Sequence, residues 1–369
     1  MWSRPLGLWS LCCICGALRW RPLTPREMSE WYSPSELCLL NTSDFGVRPL
    51  LSLRTHCSHP IYRPCMAGMG HKTSLCIGPY AARKSYLFVY DEYSNATIRP
   101  AERLISALYS RNASLVIIGD SMGRQYFDFF QCEVRREGGN AVMLPHFLPG
   151  KYFLSSRLIS HAGNESISLH FIPASELQDK DILSALRRIH NEHHRILFAV
   201  NTGLHHHDES LYPAAVRDLL SGLEPFYSSK DSRVVWLETT HQNFPNSVQQ
   251  NGYYSANESA RHMKGLSALS YDVTSHPRIF EELCPLIENT SWRADWRNYI
   301  AELLVRELGH PKVSFFTTNH TLINVVDMFC VSSTAQLNCT HFCYSPLMWQ
   351  PMYHHLADVA ESMSTDFVV

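Results

Sequence analysis

The sequence predicts an α/β protein, a three-layer α/β/α sandwich around a central, mostly parallel sheet. Three observations predict it. Short, wholly apolar runs recur beyond residue 100 (Leu115–Ile118, Ile196–Val200, Val234–Leu237), as strands buried on both faces require. Segments with helical spacing lie among them, as in a sheet covered on both sides. Each run also ends in polar residues: Gly119-Asp120-Ser121, Asn201-Thr202-Gly203 and Glu238-Thr239-Thr240-His241. In such sheets the functional site lies at the carboxyl ends of the strands.

The elements follow in order. Arg4 precedes an apolar run from Leu6 to Leu18, followed by Arg19 and Arg21. About 13 apolar residues is the length of a signal-peptide core and short for a bilayer span. Residues 1–21 are therefore expected to be a signal peptide, with Ala17 as a cleavage point, or a short signal anchor that tethers the chain to a membrane. Residues 22–100 are rich in Pro, Ser, Cys and aromatics without a sustained period, and read as a loop-rich segment packed on the main domain, residues 101–369.

Within that domain, Leu115–Ile118 is a strand. Tyr126, Phe127, Phe129 and Phe130 mark the helix after it. Ile196–Val200 is the second strand, and Val216, Leu219, Leu220 and Leu223 form one face of the next helix. Val234–Leu237 is the third strand. Trp296, Tyr299, Ile300, Leu303 and Leu304 lie on a helix stopped by Gly309 and Pro311. Val313–Phe316 and Leu322–Val326 can be strands, and residues 347–362 a closing helix.

Charged residues make up 18% of the chain and the formal net charge is −2, without a basic block. That speaks against a nucleic-acid partner. Sequons at Asn41, Asn95, Asn112, Asn164, Asn257, Asn289, Asn319 and Asn338, together with the leader, point to the glycosylating secretory pathway, in the Golgi lumen or outside the cell. Three of the 12 cysteines lie in the leader. The other nine (Cys38, Cys57, Cys65, Cys76, Cys132, Cys284, Cys330, Cys339 and Cys343) read as about four disulfides with one left over. A zinc site at Cys339, His341 and Cys343 is the rival reading, although the spacing does not match paired C-x2-C knuckles.

Ser121 closes a strand and opens a helix. A hydroxyl there gains exposure from the sharp turn, and an oxyanion gains from unpaired helix N-terminal amides. Helix capping is the structural alternative for Ser121. Residues 119–127, Gly-Asp-Ser-Met-Gly-Arg-Gln-Tyr-Phe, with Cys132 downstream, resemble the first block of the PC-esterase branch of SGNH/GDSL hydrolases, which includes the trichome-birefringence-like polysaccharide O-acetyltransferases. Residues 198–203, Phe-Ala-Val-Asn-Thr-Gly, are similar to its Asn-Thr-Gly block. Residues 338–343, Asn-Cys-Thr-His-Phe-Cys, resemble its Asp-Cys-Ser-His-Trp-Cys signature, followed by Pro346 and Trp349. Residues 239–244, Thr-Thr-His-Gln-Asn-Phe, are a looser match to its middle block.

The resemblance implies serine-dependent acyl transfer: an O-acetyltransferase or acetylesterase acting on a glycan, with no metal or cofactor. Its partners would be an acyl donor and a carbohydrate acceptor. Ser121 would be the nucleophile and His341 its base. The backbone amide of Ser121 or its neighbour and the Asn201 side chain would form the oxyanion hole. Arg124 matches a family arginine, which binds substrate or pairs with a carboxylate. His241 lines the pocket or is structural.

The chain departs from the family where Asn338 replaces the signature aspartate. An asparagine can orient an imidazole but supplies no charge. Three outcomes stand open: a Ser121–His341 dyad, another carboxylate such as Asp327 orienting His341, or a catalytically degenerate glycan-binding protein. The run His205-His206-His207 beside Asp208 reads as a loop or substrate rim rather than a metal site.

Overall fold

A computed structural model describes residues 20–22, 88–90, 99–144, 153–174, 180–192, 195–206, 208–229, 231–239, 296–317, 330–331, 337–338 and 346–364. The strands are β1 (Trp20–Pro22), β2 (Phe88–Tyr90), β3 (Ala113–Gly119), β4 (Asn140–Met143), β5 (Leu154–Ile159), β6 (Ser166–Pro173), β7 (Arg195–Asn201), β8 (Arg233–Leu237), β9 (Val313–Phe316), β10 (Cys330–Val331) and β11 (Leu337–Asn338). The helices are α1 (Pro100–Tyr109), α2 (Ser121–Arg136), α3 (Lys180–Glu192), α4 (Tyr212–Ser229), α5 (Trp296–Leu308) and α6 (Pro346–Glu361).

Seven strands form one sheet in the order β4-β5-β6-β3-β7-β8-β9. The five from β6 to β9 run parallel, β5 runs antiparallel to β6, and β4 is antiparallel to β5. The alternation of side chains along each strand sends its residues to opposite faces, and two cores result. Leu115, Ile117, Leu169, Phe171, Leu197 and Val235 pack against α1, α2 and α6. Val116, Ile118, Ile196, Phe198, Val200 and Trp236 pack against α3, α4 and α5. This is the expected three-layer architecture with a mostly parallel sheet.

The apolar runs that predict β3, β7, β8 and β9 lie within strands one to three residues longer than themselves or coincide with them. Three strands and a helix also occupy residues 140–192, where the sequence marks no element. The reason is polar burial. Ser155 and Ser156 on β5 and His170 on β6 are fully buried, which breaks the apolar alternation by which a strand is recognised. They are paired sideways: Ser155 Oγ lies 2.8 Å from His170 Nδ1, and Ser156 Oγ donates to Gln131 Oε1 at 2.8 Å.

The α5 helix ends at Leu308, with Gly309 at φ 58° as its left-handed terminator. The expected strand Leu322–Val326 lies outside the described residues. So does most of residues 1–100. Two short pieces there do pair, Trp20–Pro22 with Phe88–Tyr90. No helix among the described residues is long and apolar enough to cross a membrane. Two sequon asparagines, Asn112 and Asn164, are exposed on turns, Asn112 at φ 49°.

The strand order turns at β3. The chain leaves β3 toward one side (β4, β5, β6) and returns to build the other (β7, β8, β9). The carboxyl end of β3, between β6 and β7, is thus the switch point at which open α/β sheets bind ligands.

Candidate functional site

Ser121 stands at that switch point as the first residue of α2, half-buried. It is not the helix cap. Asp120 caps α2, its Oδ1 accepting from the Met122 amide at 2.9 Å. The Arg124 amide then opens the helical ladder on the Asp120 carbonyl at 3.0 Å. Among the described residues, nothing accepts from the Ser121 or Gly123 amide and no side chain hydrogen-bonds the Ser121 hydroxyl. A half-buried hydroxyl at an uncapped pair of helix N-terminal amides can attack a carbonyl and have the resulting oxyanion held nearby.

Asp120 also ties the nucleophile turn to its neighbour. Its Oδ2 accepts from Leu204 at 3.1 Å and from Gly203 at 3.3 Å, while its own amide donates to the Asn201 carbonyl at 3.2 Å. Burial raises the carboxyl's pKa, against the pull of these three amides and the charge of His205. The turn also depends on close backbone approach. A Cβ at Gly119 would collide with the Asn201 carbonyl, and one at Gly203 with Thr239. Both positions need glycine for space.

Asn201, level with Gly119 across β3 and β7, is fully buried. Its Nδ2 donates to the Glu238 carbonyl at 2.7 Å, with the Leu237 carbonyl at 3.5 Å. The amide that the sequence reading offers to an oxyanion is thus committed to β8. Its Oδ1 has no partner among the described residues, but that atom is an acceptor. Arg124 takes the carboxylate alternative: its Nε donates to Asp128 Oδ2 at 2.8 Å. His206 packs on Tyr212 with ring centroids 5.0 Å apart, while His205 is exposed. No group of three or more metal-ligating side chains is found among the described residues.

His341 and His241 lie outside the described residues, as do Asp327, Cys339 and Cys343. The backbone of Asn338 is described in β11, paired with Cys330 in β10. Of the nine cysteines, Cys132 is described at its side chain, a buried thiol on α2. What is described is where the C-terminal segment rejoins the domain. Trp349, near the start of α6, packs edge-on to Tyr126 at 5.0 Å and against Phe129 at 5.4 Å. Phe130 meets Tyr353 at 4.9 Å. Tyr126 is five residues past Ser121 on α2, about 7.5 Å along the helix.

Two residues at this rim receive no site role in the sequence reading. Tyr126 is buried, and its phenol is pushed well up by desolvation first, then by the charges of Glu238 and Asp120. Glu238, one residue past β8, is buried as well and accepts from the Thr317 hydroxyl. The signal available for Glu238 is its place directly after an apolar run, the same signal that marks Ser121.

No protein-family model matches the chain, and no curated protein matches it.

Proposed function

We propose that the chain is a serine-dependent acyl-transfer enzyme of SGNH type, an O-acetyltransferase or acetylesterase acting on a glycan in the secretory pathway. The observation that carries the reading is the position of Ser121. It stands half-buried at the switch point of the sheet, relieved of capping by Asp120, beside helix N-terminal amides that nothing among the described residues accepts from. The ordered blocks around Ser121, Asn201 and His341 support the same reading from sequence, and the exposed sequons Asn112 and Asn164 are compatible with a glycosylating compartment.

In the proposed reaction, Ser121 Oγ attacks the acyl carbonyl as His341 takes its proton. The tetrahedral oxyanion rests on the backbone amides of Ser121 and Gly123. Asn201 joins that set only if its amide releases the Glu238 carbonyl. Collapse breaks the bond to the donor's leaving group, which takes the proton from His341. A carbohydrate hydroxyl, or water, then attacks the acyl-serine and gives its proton to His341. The acyl group leaves on the acceptor as that proton returns to Ser121.

The test is labelling of the full chain with a fluorophosphonate. Labelling that is lost in both Ser121→Ala and His341→Ala is the expected result. A folded wild-type protein that takes no label would overturn the proposal. That outcome favours the second reading, a non-catalytic glycan-binding protein, to which the committed amide of Asn201 and the neutral Asn338 both lend support.

A further inference from the structure

Two sequons have all their side chains among the described residues, Asn112-Ala113-Ser114 and Asn164-Glu165-Ser166. Each leads into a strand of the main sheet. Asn112 is the turn residue before β3, and Asn164 lies two residues before β6. β3 and β6 are parallel neighbours, so both asparagines stand at the amino edge of the sheet. Ser121 stands at the other edge, beyond the seven residues of β3, which span about 23 Å at ordinary strand rise.

Each asparagine is exposed. Asn112 has φ 49°, a left-handed conformation that asparagine tolerates. Its backbone closes the turn by donating to the Tyr109 carbonyl at 3.0 Å, and its side chain has no hydrogen bond among the described residues. Asn164 accepts from the Ser160 hydroxyl through Oδ1 at 3.3 Å, a bond that an amide substituted at Nδ2 retains.

The two hydroxyls differ. Ser166 is exposed at the start of β6. Ser114 is fully buried in β3, on the face it shares with Val116 and Ile118, and its Oγ has no hydrogen-bond partner among the described residues. A buried hydroxyl left unpaired costs stability, and an apolar side chain would fill that position without the cost. The fold makes no use of the Ser114 hydroxyl. Transfer of an oligosaccharide does, because the acceptor pattern requires a hydroxyl two residues past the asparagine.

We propose that Asn112 is an N-glycosylation site, modified on the unfolded chain before β3 enters the sheet, and that the Ser114 hydroxyl serves this transfer rather than the fold. The inference rests on the secretory placement in the proposed function and not on the acyl-transfer chemistry. In the transfer, Asn112 Nδ2 attacks C1 of the first sugar of an oligosaccharide carried on a polyprenyl diphosphate. The N–C1 bond forms and the bond from C1 to the diphosphate oxygen breaks. The diphosphate leaves with that electron pair, and the amide gives one proton to a base of the transferase. Once β3 is seated, Ser114 is out of reach and the site is closed. Asn164, with its hydroxyl outside the core, stays open to transfer after folding. The native fold accommodates a bulky glycan at either asparagine, since both are on the surface.

The experiment expresses the full chain in a secreting eukaryotic host and treats it with peptide-N-glycosidase in heavy-oxygen water. Peptide mass spectrometry then reads each occupied asparagine as labelled aspartate. The wild-type chain is expected to carry the label at Asn112 and Asn164. Ser114→Ala should lose it at Asn112 alone, and its deglycosylated form should melt no lower than deglycosylated wild type. Asn112→Gly, which suits the left-handed turn, should lose the same glycan. In a pulse–chase, occupancy of Asn112 should be complete at the end of the pulse. A bare Asn112 in a wild-type chain occupied at Asn164 or another sequon overturns the proposal alone. So does Asn112 occupancy that rises through the chase, or a lower melt in Ser114→Ala. A chain bare at every sequon overturns the proposal together with the secretory placement.

Discussion

Asp120 holds the amide of Leu204 at 3.1 Å from 84 positions away, across the gap between β3 and the turn that follows β7. The same side chain caps α2. One carboxylate therefore sets both the helix that presents Ser121 and the loop that faces it.

Removing it should cost in proportion. Asp120→Ala loses a cap worth about 1 kcal/mol and strands two buried amides at about 1–3 kcal/mol each. A net loss of about 3 kcal/mol is expected. It would be read as a lower urea midpoint at unchanged slope. Asp120→Asn, which retains an acceptor for Met122, should fall between the two.

Asn201 makes a separate prediction, because its amide serves β8. Asn201→Ala should lose about 1–3 kcal/mol of stability through the freed Glu238 carbonyl. The rate of Ser121 labelling should change by less than about 3-fold, against the 10²–10³-fold of a lost oxyanion donor. Paired melts and labelling time courses check both halves.

Trp349 anchors α6 over Tyr126 and Phe129 and is 4% exposed. Trp349→Ala should therefore lose about 3–5 kcal/mol. Trp349→Phe should lose less and keep activity. A helix that no longer docks would release the segment carrying His341, so activity in the alanine variant should fall further than its folded fraction.

Stability should also weaken in mild acid through His354, buried on α6. Its pKa is lowered from 6.5 to about 4, by burial first and then by Arg103, with Asp358 and Glu133 opposing. The native state keeps this ring neutral, so between about pH 6.5 and 4 the unfolded chain takes the proton first. Stability is therefore complete above the unfolded pKa and is lost as pH falls toward the folded one, by at most about 3 kcal/mol from this group. His355, also lowered by burial, adds in the same direction. Urea midpoints at several pH values should show a shallower acid slope in His354→Gln.

The strands β3, β7, β8 and β9 were legible because an apolar run of the right length is a local signal that needs no partner to be read. The same holds for the Ser121 turn, where a strand end meets a helix start within three residues. The edge strand β4 and its neighbours β5 and β6 were not, because buried Ser155 pairs with His170 and buried Ser156 with Gln131, and no window of sequence contains those pairings.

The sequence by itself determined the class of fold, the strand ends at which polar residues gather, and the place of Ser121 where a strand gives way to a helix. Only the tertiary structure decided that Asp120, not Ser121, caps α2, that Arg124 pairs with Asp128, that the Asn201 amide is bound to Glu238, and that Glu238 stands at the same rim. The physical reason is separation along the chain. Asn201 and Glu238 are 37 positions apart, and Asp120 and Gly203 are 83. Such contacts arise from the order in which strands are laid beside one another, and that order is set by packing over the whole sheet rather than by any stretch of residues within it.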